Sequence, residues 1–127
     1  MSALIFAIAG SVMGVLTVGL GAFGAHALKS VLDEYGQSIW EKAVLYQAIH
    51  ALLLLLLPTF MDVIPSKDLI IIGSLIIAGV LLFSGSLYIL ALSRKKYFGA
   101  ITPLGGITLM VGWSWLAWAL LKATLQS

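Results

Sequence analysis

Four long segments of the chain contain no Asp, Glu, Lys or Arg, and short polar segments separate them. A helix needs about 17–25 apolar residues to cross a bilayer, and each segment reaches that length. The pattern predicts an all-α fold, an integral membrane bundle of four transmembrane helices in a single domain, residues 1–127. The uncharged segments are residues 3–28, 43–61, 69–93 and 97–121.

Capping signals refine the predicted helix boundaries. Ser38 and Glu41 have the spacing of a capping box, which starts the second helix at residue 39, and Pro58 ends it. Thr102 before Pro103 predicts an N-cap and a first helical residue for the fourth helix. Ser66 can cap the third helix, with Asp68 in its first turn. The predicted helices are about residues 3–28, 39–57, 67–93 and 103–121.

The composition excludes several classes of protein. The chain is 61% hydrophobic and 9% charged, with a mean hydropathy of +1.12, which leaves no room for a second, soluble domain. A net charge of +2 does not suggest nucleic acid as a partner. Without cysteine there is no thiolate nucleophile or cysteine-ligated metal.

The first segment has an alternative interpretation as a cleaved signal peptide, with Ala25-His26-Ala27 as the cleavage site. It lacks a basic n-region and exceeds the usual apolar length of about 7–15 residues. A retained helix is therefore the favoured interpretation.

The distribution of basic residues predicts the orientation. Five of the seven flank the first and third connections, which favours cytoplasmic connections there and extracytoplasmic termini. The five are Lys29, Lys42, Arg94, Lys95 and Lys96, and the other two are Lys67 and Lys122.

Small residues form a stripe along one face of the first helix, and such a stripe lets another helix approach closely. We expect packing within the bundle, with Gly14 at a helix contact. The alternative is a homo-oligomer or a larger membrane complex assembled through the first helix. The stripe begins at Ala3 and Ala7 and continues through Gly10, Gly14, Thr17, Gly21 and Gly24.

Polar residues within the apolar segments are the best candidates for chemistry, because each is costly in lipid without a partner. At 1.5 Å per residue, they fall in one layer of the cytoplasmic half, with His50 and Trp113 both about 16 Å deep. This layer is a candidate polar pocket, although a hydrogen-bonded, neutral His50 is the favoured interpretation and a Ser84–His50 pair the alternative. The layer consists of Tyr46, Gln47, His50, Ser84, Tyr88, Thr108 and Trp113.

A cofactor is not expected. His26 and His50 should differ in depth by about 10 Å, which is poor geometry for two haem ligands. Two histidines without a carboxylate or thiolate also fall short of a metal site. No catalytic residue is assigned.

A second candidate site lies where three cations precede the fourth helix, since helix N-termini and cations both bind phosphate. The ligand would be a phosphate or a lipid headgroup, and ordinary positive-inside anchoring is the simpler alternative. This site comprises Arg94, Lys95, Lys96, Thr102, Gly105 and Gly106. Trp115 and Trp118 at the other end need only be interfacial residues.

Four motifs together resemble a known family. They are residues 21–29 (Gly-Ala-Phe-Gly-Ala-His-Ala-Leu-Lys), Tyr46-Gln47-x-x-His50-Ala51, residues 82–88 (Leu-Phe-Ser-Gly-Ser-Leu-Tyr) and Thr102-Pro103-x-Gly105-Gly106. In this order they resemble bacterial members of the domain of unknown function 423 family, which is similar to the transmembrane protein 256 group. The resemblance implies a four-span protein of the bacterial inner (plasma) membrane, and it supplies no reaction or cofactor.

The sequence thus predicts a non-enzymatic packing or lipid-interacting membrane component, with membrane lipids as partners. Two alternatives remain open: an accessory subunit of a larger membrane complex, and a small-molecule carrier or intramembrane enzyme using the polar layer.

Overall fold

A computed structural model describes residues 2–127. Four long α-helices dominate it, and the chain is 86% helical, which confirms the predicted fold class. All four are long and apolar enough to cross a membrane. They are α1 (Leu4–His26), α2 (Glu34–Leu56), α3 (Ser66–Ser93) and α4 (Thr102–Gln126). Short 3-10 helices, Leu57–Phe60 and Lys96–Ala100, follow α2 and precede α4.

The capping prediction for α2 is wrong. The helix begins at Glu34, five residues before the predicted start, because the Asp33 side chain accepts a hydrogen bond from the Gly36 amide at 2.6 Å. Ser38 and Glu41 therefore lie inside the helix. Pro58 does end α2, and the chain continues directly into a 3-10 turn.

Two other predicted caps also differ from the structure. Ser66 is the first residue of α3, and Pro65 occupies the capping position. Thr102 is the first residue of α4, after Ile101. Asp68 does lie in the first turn of α3, as predicted. The fourth helix runs to Gln126, five residues beyond the predicted end.

The helices pack mainly against their neighbours in sequence: α1 on α2, α2 on α3, and α3 on α4. We call the end with the first and third connections the basic end. Two clusters of buried apolar side chains fill the bundle, one near the basic end around Trp40 and Leu87, the other toward the opposite end around Leu54 and Ile76. The buried polar residues Gln47 and Ser84 lie between these clusters.

Glycines set the close approach of α1 to α2. A Cβ atom on Gly10 would lie 2.6 Å from the Ala51 carbonyl oxygen, and one on Gly24 would overlap the Trp40 indole. Because apolar burial provides little drive between helices in lipid, such close packing is the main source of attraction.

The predicted stripe is not a uniform contact surface. Among residues 2–127, no neighbour lies within 4 Å of the Cβ position of Gly14, so the expected helix contact there is absent from the described chain. Gly21 is within van der Waals reach of Val44, at 3.5 Å. The Thr17 hydroxyl donates to the Met13 carbonyl of its own helix.

Candidate functional site

Gln47 connects three helices at the level of the predicted polar layer. Its Nε2 donates to the Met13 carbonyl in α1 at 3.1 Å, and its Oε1 accepts the Tyr88 hydroxyl of α3 at 2.7 Å. Gln47 is only 5% exposed. Both ends of the amide are therefore used in holding α1, α2 and α3 together.

His50 connects α2 to α4. The Trp113 indole Nε1–H donates to Nε2 of His50 at 3.0 Å, while Nδ1 lies 2.6 Å from the Tyr46 carbonyl oxygen. A carbonyl oxygen only accepts and an indole N–H only donates, so these partners assign the proton to Nδ1 and a neutral ring to His50. Both ring nitrogens thus have a structural partner.

Ser84 bonds to the backbone of α2. The residue is 1% exposed, and its hydroxyl donates to the Ala43 carbonyl at 2.7 Å. Since the acceptor nitrogen of His50 is bonded to Trp113, the Ser84–His50 pair considered from the sequence is not formed in this structure. A serine nucleophile needs a neighbouring base to remove its proton, and Ser84 donates that proton to a carbonyl.

The predicted layer separates into two hydrogen-bonded pairs, Gln47–Tyr88 and His50–Trp113. Tyr46 instead stacks its ring on Phe83, with ring centroids 4.4 Å apart. Thr108 donates to the Leu104 carbonyl of its own helix. Gln47 faces α1 and α3, whereas His50 faces α4, so the seven residues do not converge on one pocket.

Trp40 is a polar connection that sequence reasoning missed. Its Nε1–H donates to the Leu20 carbonyl of α1 at 2.9 Å, and its ring meets the Tyr88 ring edge-on at 4.7 Å. The ring lies over Gly24, where any side chain would displace it. The signal available in the sequence for this contact was the glycine stripe of α1 together with Trp40, the single tryptophan of α2.

Trp115 and Asp68 form a second missed connection, at the end opposite the basic end. The indole Nε1–H donates to Asp68 Oδ1 at 3.1 Å, and the aspartate is 7% exposed. Trp115 therefore links α4 to the first turn of α3, in addition to any interfacial role.

The structure separates the residues of the candidate phosphate site, because those at the start of α4 contact α3 and two of the basic residues line a different cavity. The Thr102 hydroxyl pairs with Ser86 at 2.6 Å, and Gly105 packs against the Phe83 backbone. The Gly105 amide also donates to the Ile101 carbonyl at 3.3 Å. A phosphate at this helix start would therefore compete with internal contacts.

The basic residues of that candidate site lie elsewhere. Arg94 and Lys96 line a separate cavity of about 410 Å³ beside Asp33, and Lys95 is exposed. Gly106 lies beside the Phe83 ring, within 3.9 Å of its Cε2. Phosphate binding by these residues stays a prediction.

Two grooves flank α1. The α1/α2 groove, about 490 Å³, lies at the basic end between Gly21, Gly24 and Ala25 of α1 and Val44 and Ala48 of α2. The α1/α3 groove, about 430 Å³, has Gln47, Ser84 and Tyr88 on its inner side. The large apolar residues Val12, Leu16 and Leu81 line its exposed outer part.

Among residues 2–127, no group of three or more histidine, aspartate or glutamate residues is placed to hold a metal ion.

Comparison with known proteins identifies the same family that the four sequence motifs resemble. A family model described as protein of unknown function (DUF423) matches residues 20–106. The chain is 42% identical over 118 residues to a UPF0382 membrane protein of Staphylococcus aureus, covering 93% of this chain and 96% of that protein. It is 39% identical over 119 residues to the UPF0382 membrane protein YwdK of Bacillus subtilis, covering 93% and 97%. No solved structure matches the chain.

Proposed function

Because this chain belongs to the DUF423 family, whose bacterial relatives are called membrane proteins, we propose that it is a non-enzymatic, lipid-interacting component of the bacterial inner membrane. The supporting observation is the position of α1. This helix packs chiefly on α2 and leaves a groove on each side, facing the surroundings that lipid occupies around a membrane-spanning bundle.

The hydrogen bonding of the buried polar side chains supports a non-enzymatic role. Within residues 2–127, every buried side-chain nitrogen and oxygen has a hydrogen-bond partner. Those partners are mostly on other helices, as for Gln47, His50 and Ser84. A catalytic or carrier site would instead need polar atoms that are free to bind a substrate. The interior groups thus serve to connect helices.

The α1/α3 groove is suited to an acyl chain. Its walls are almost wholly apolar, and the Gln47–Tyr88 and Ser84–Ala43 hydrogen bonds satisfy the polar groups on its inner side. Gly85 lines the groove, and no described neighbour lies within 4 Å of its Cβ position. A larger side chain at this residue would fill the groove without displacing the helices.

Native mass spectrometry from mild detergent tests the proposal by counting the lipids that each monomer retains. We expect Gly85→Leu to reduce the number of retained phospholipids. Gly19→Leu is the matched control, because the Cβ position of Gly19 is equally open but Gly19 lies outside the set of residues lining either groove. Equal retention by both variants would contradict lipid binding in the α1/α3 groove.

A second candidate function is that of an accessory subunit. It rests on the space beside Gly14, since Gly10 and Gly21, on either side of it along the stripe, contact α2, whereas no described neighbour lies within 4 Å of the Gly14 Cβ position. A close helix from another protein could pack there. The same mass spectra discriminate the two functions, because an accessory subunit would retain additional protein chains rather than lipid alone.

A further inference from the structure

The α1/α2 groove differs from the α1/α3 groove in carrying charge at its rim. Its inner part is formed by small residues, and Gly21 and Gly24 allow α2 to lie close without filling the space. Lys29 and Glu41 line its outer part together with Gln37. The groove therefore combines an apolar interior with one cation and one anion.

The two charged residues lie at a similar level along the bundle. Trp40 packs over Gly24, which places the neighbouring Glu41 beside the last turn of α1, and Lys29 follows that turn by three residues. The backbone at Lys29 is held in place, because its carbonyl accepts a hydrogen bond from Gln37 Nε2 at 3.0 Å. Both charged residues are exposed. This arrangement suits a ligand whose polar part lies where the apolar span ends.

We propose that the α1/α2 groove binds one phosphatidylethanolamine molecule, with Lys29 on the lipid phosphate and Glu41 on the headgroup ammonium. The inference rests on the proposed lipid-interacting function and names the lipid class. An acyl chain would enter the apolar part between Ala25, Val44 and Ala48.

Charge complementarity decides among the common phospholipids. An anionic lipid such as phosphatidylglycerol offers Glu41 no cation. A choline headgroup carries positive charge but has no N–H to donate to the carboxylate. The ethanolamine ammonium supplies both the charge and three donors, as a lysine ammonium does.

The experiment uses full-length protein in detergent with equal amounts of phosphatidylethanolamine, phosphatidylglycerol and phosphatidylcholine bearing identical acyl chains. Native mass spectrometry measures the ratio of lipids retained. We expect the unmodified protein to retain phosphatidylethanolamine preferentially. Glu41→Gln should reduce this preference about two- to fivefold, the range for a partly exposed charge pair. Glu41→Lys should shift the preference to phosphatidylglycerol.

Two control variants change the same charges outside the groove. Glu34→Gln removes a carboxylate from the first turn of α2, and Lys42→Gln removes a cation that lines a different cavity. Both should keep the preference, whereas Lys29→Gln should lower retention of all three lipids. Thermal unfolding of each variant confirms that the fold is kept.

The outcomes separate this inference from the function on which it rests. Two results would overturn the phosphatidylethanolamine site alone. One is retained lipid with no headgroup preference, and the other is equal ratios of retained lipids in Glu41→Gln and Glu34→Gln. A protein that retains no phospholipid in any variant would overturn the proposed function as well.

Discussion

Trp113 donates its indole N–H to Nε2 of His50 across 3.0 Å and so joins α4 to α2 through a histidine that is only 4% exposed. The other ring nitrogen lies 2.6 Å from the Tyr46 carbonyl oxygen, so both nitrogens have a partner within the bundle. We propose that His50 is a structural connection in this bundle, and its substitution by residues with different hydrogen-bonding capacity distinguishes this role from a functional one.

We expect His50→Leu to destabilise the protein more than His50→Gln. Leucine leaves the Trp113 donor unpaired, whereas the glutamine amide can still accept that hydrogen bond. Buried unsatisfied groups cost about 1–3 kcal/mol and interhelical hydrogen bonds in membranes average about 0.6 kcal/mol, so the loss for leucine should be about 1 kcal/mol. Thermal unfolding in detergent measures the difference.

Trp113→Phe completes the test by removing the donor. If the hydrogen bond matters, His50→Leu should cost less in the Trp113→Phe background than alone. A stable His50→Gln protein that fails to rescue a deletion phenotype would instead make His50 a functional residue, because an amide cannot titrate near neutral pH.

The sequence predicts how deep a polar residue lies in the membrane better than it predicts which neighbouring helix the residue faces. Counting 1.5 Å per residue placed His50 and Trp113 at the same level, and their hydrogen bond confirms it. Gln47 and His50 are three residues apart, which puts them on one side of an isolated helix, yet they face different neighbours. Which neighbour lies on each side depends on tertiary packing, which periodicity does not specify.

The start of α2 shows a similar limit. Asp33 and Ser38 both have cap-forming side chains, and local pattern favoured Ser38 because Glu41 completes a capping box. In the structure the Asp33 cap is formed, and Gly36 lies against Leu32, with its Cβ position 3.4 Å from Leu32 Cβ. Leu28 and Leu32 anchor the otherwise exposed connection in the core, and α2 starts directly after it, before the apolar segment from which its start was predicted.

The Asp68–Trp115 hydrogen bond should contribute to stability at the end opposite the basic end. We expect Asp68→Leu to lower the free energy of unfolding by about 1.5–3 kcal/mol, the range for hydrogen bonds to charged groups. Asp62→Leu is the control, because Asp62 is exposed in the connection between α2 and α3. Equal melting temperatures for the two variants would show that the bond adds nothing.

Arg94 is the one non-glycine residue with positive φ among residues 2–127, at 59°. An L-residue in this conformation costs about 1–2 kcal/mol, which glycine avoids. The Arg94 side chain offsets this cost with only a long hydrogen bond of 3.3 Å, which it donates to the Val31 carbonyl. We therefore expect Arg94→Gly to raise the melting temperature.

Lys95→Gly is the comparison for this prediction, because the Lys95 backbone has φ −86° and gains nothing from glycine. It should leave stability unchanged or lower it slightly. A lower melting temperature for Arg94→Gly than for Lys95→Gly would mean that the side chain outweighs the backbone cost.

The orientation of the bundle is a separate prediction. Five of seven basic residues lie near the basic end, so this end should face the cytoplasm and Ser127 the opposite side. A reporter fused after Ser127 that is active only outside the cytoplasm should give signal. Signal from a cytoplasm-specific reporter at the same position would reverse the assignment.

The stripe on α1 gives a prediction that bears on both candidate functions. Gly24→Ala would overlap the Trp40 indole and should destabilise the monomer by about 1–3 kcal/mol, since overpacking in a close contact forces side chains or backbone to move. Gly14→Ala meets no described neighbour within 4 Å and should leave stability within about 1 kcal/mol.

Gly14 also separates lipid contact from protein contact. If lipid surrounds this part of α1, Gly14→Leu should change neither the melting temperature nor the number of subunits seen by native mass spectrometry. If another helix packs there, the branched side chain should prevent its close approach, and the complex should dissociate while the monomer stays folded. Gly19→Leu, also open but on a different face of α1, controls for the added bulk. Dissociation by Gly14→Leu alone would favour the accessory subunit over the lipid-interacting component.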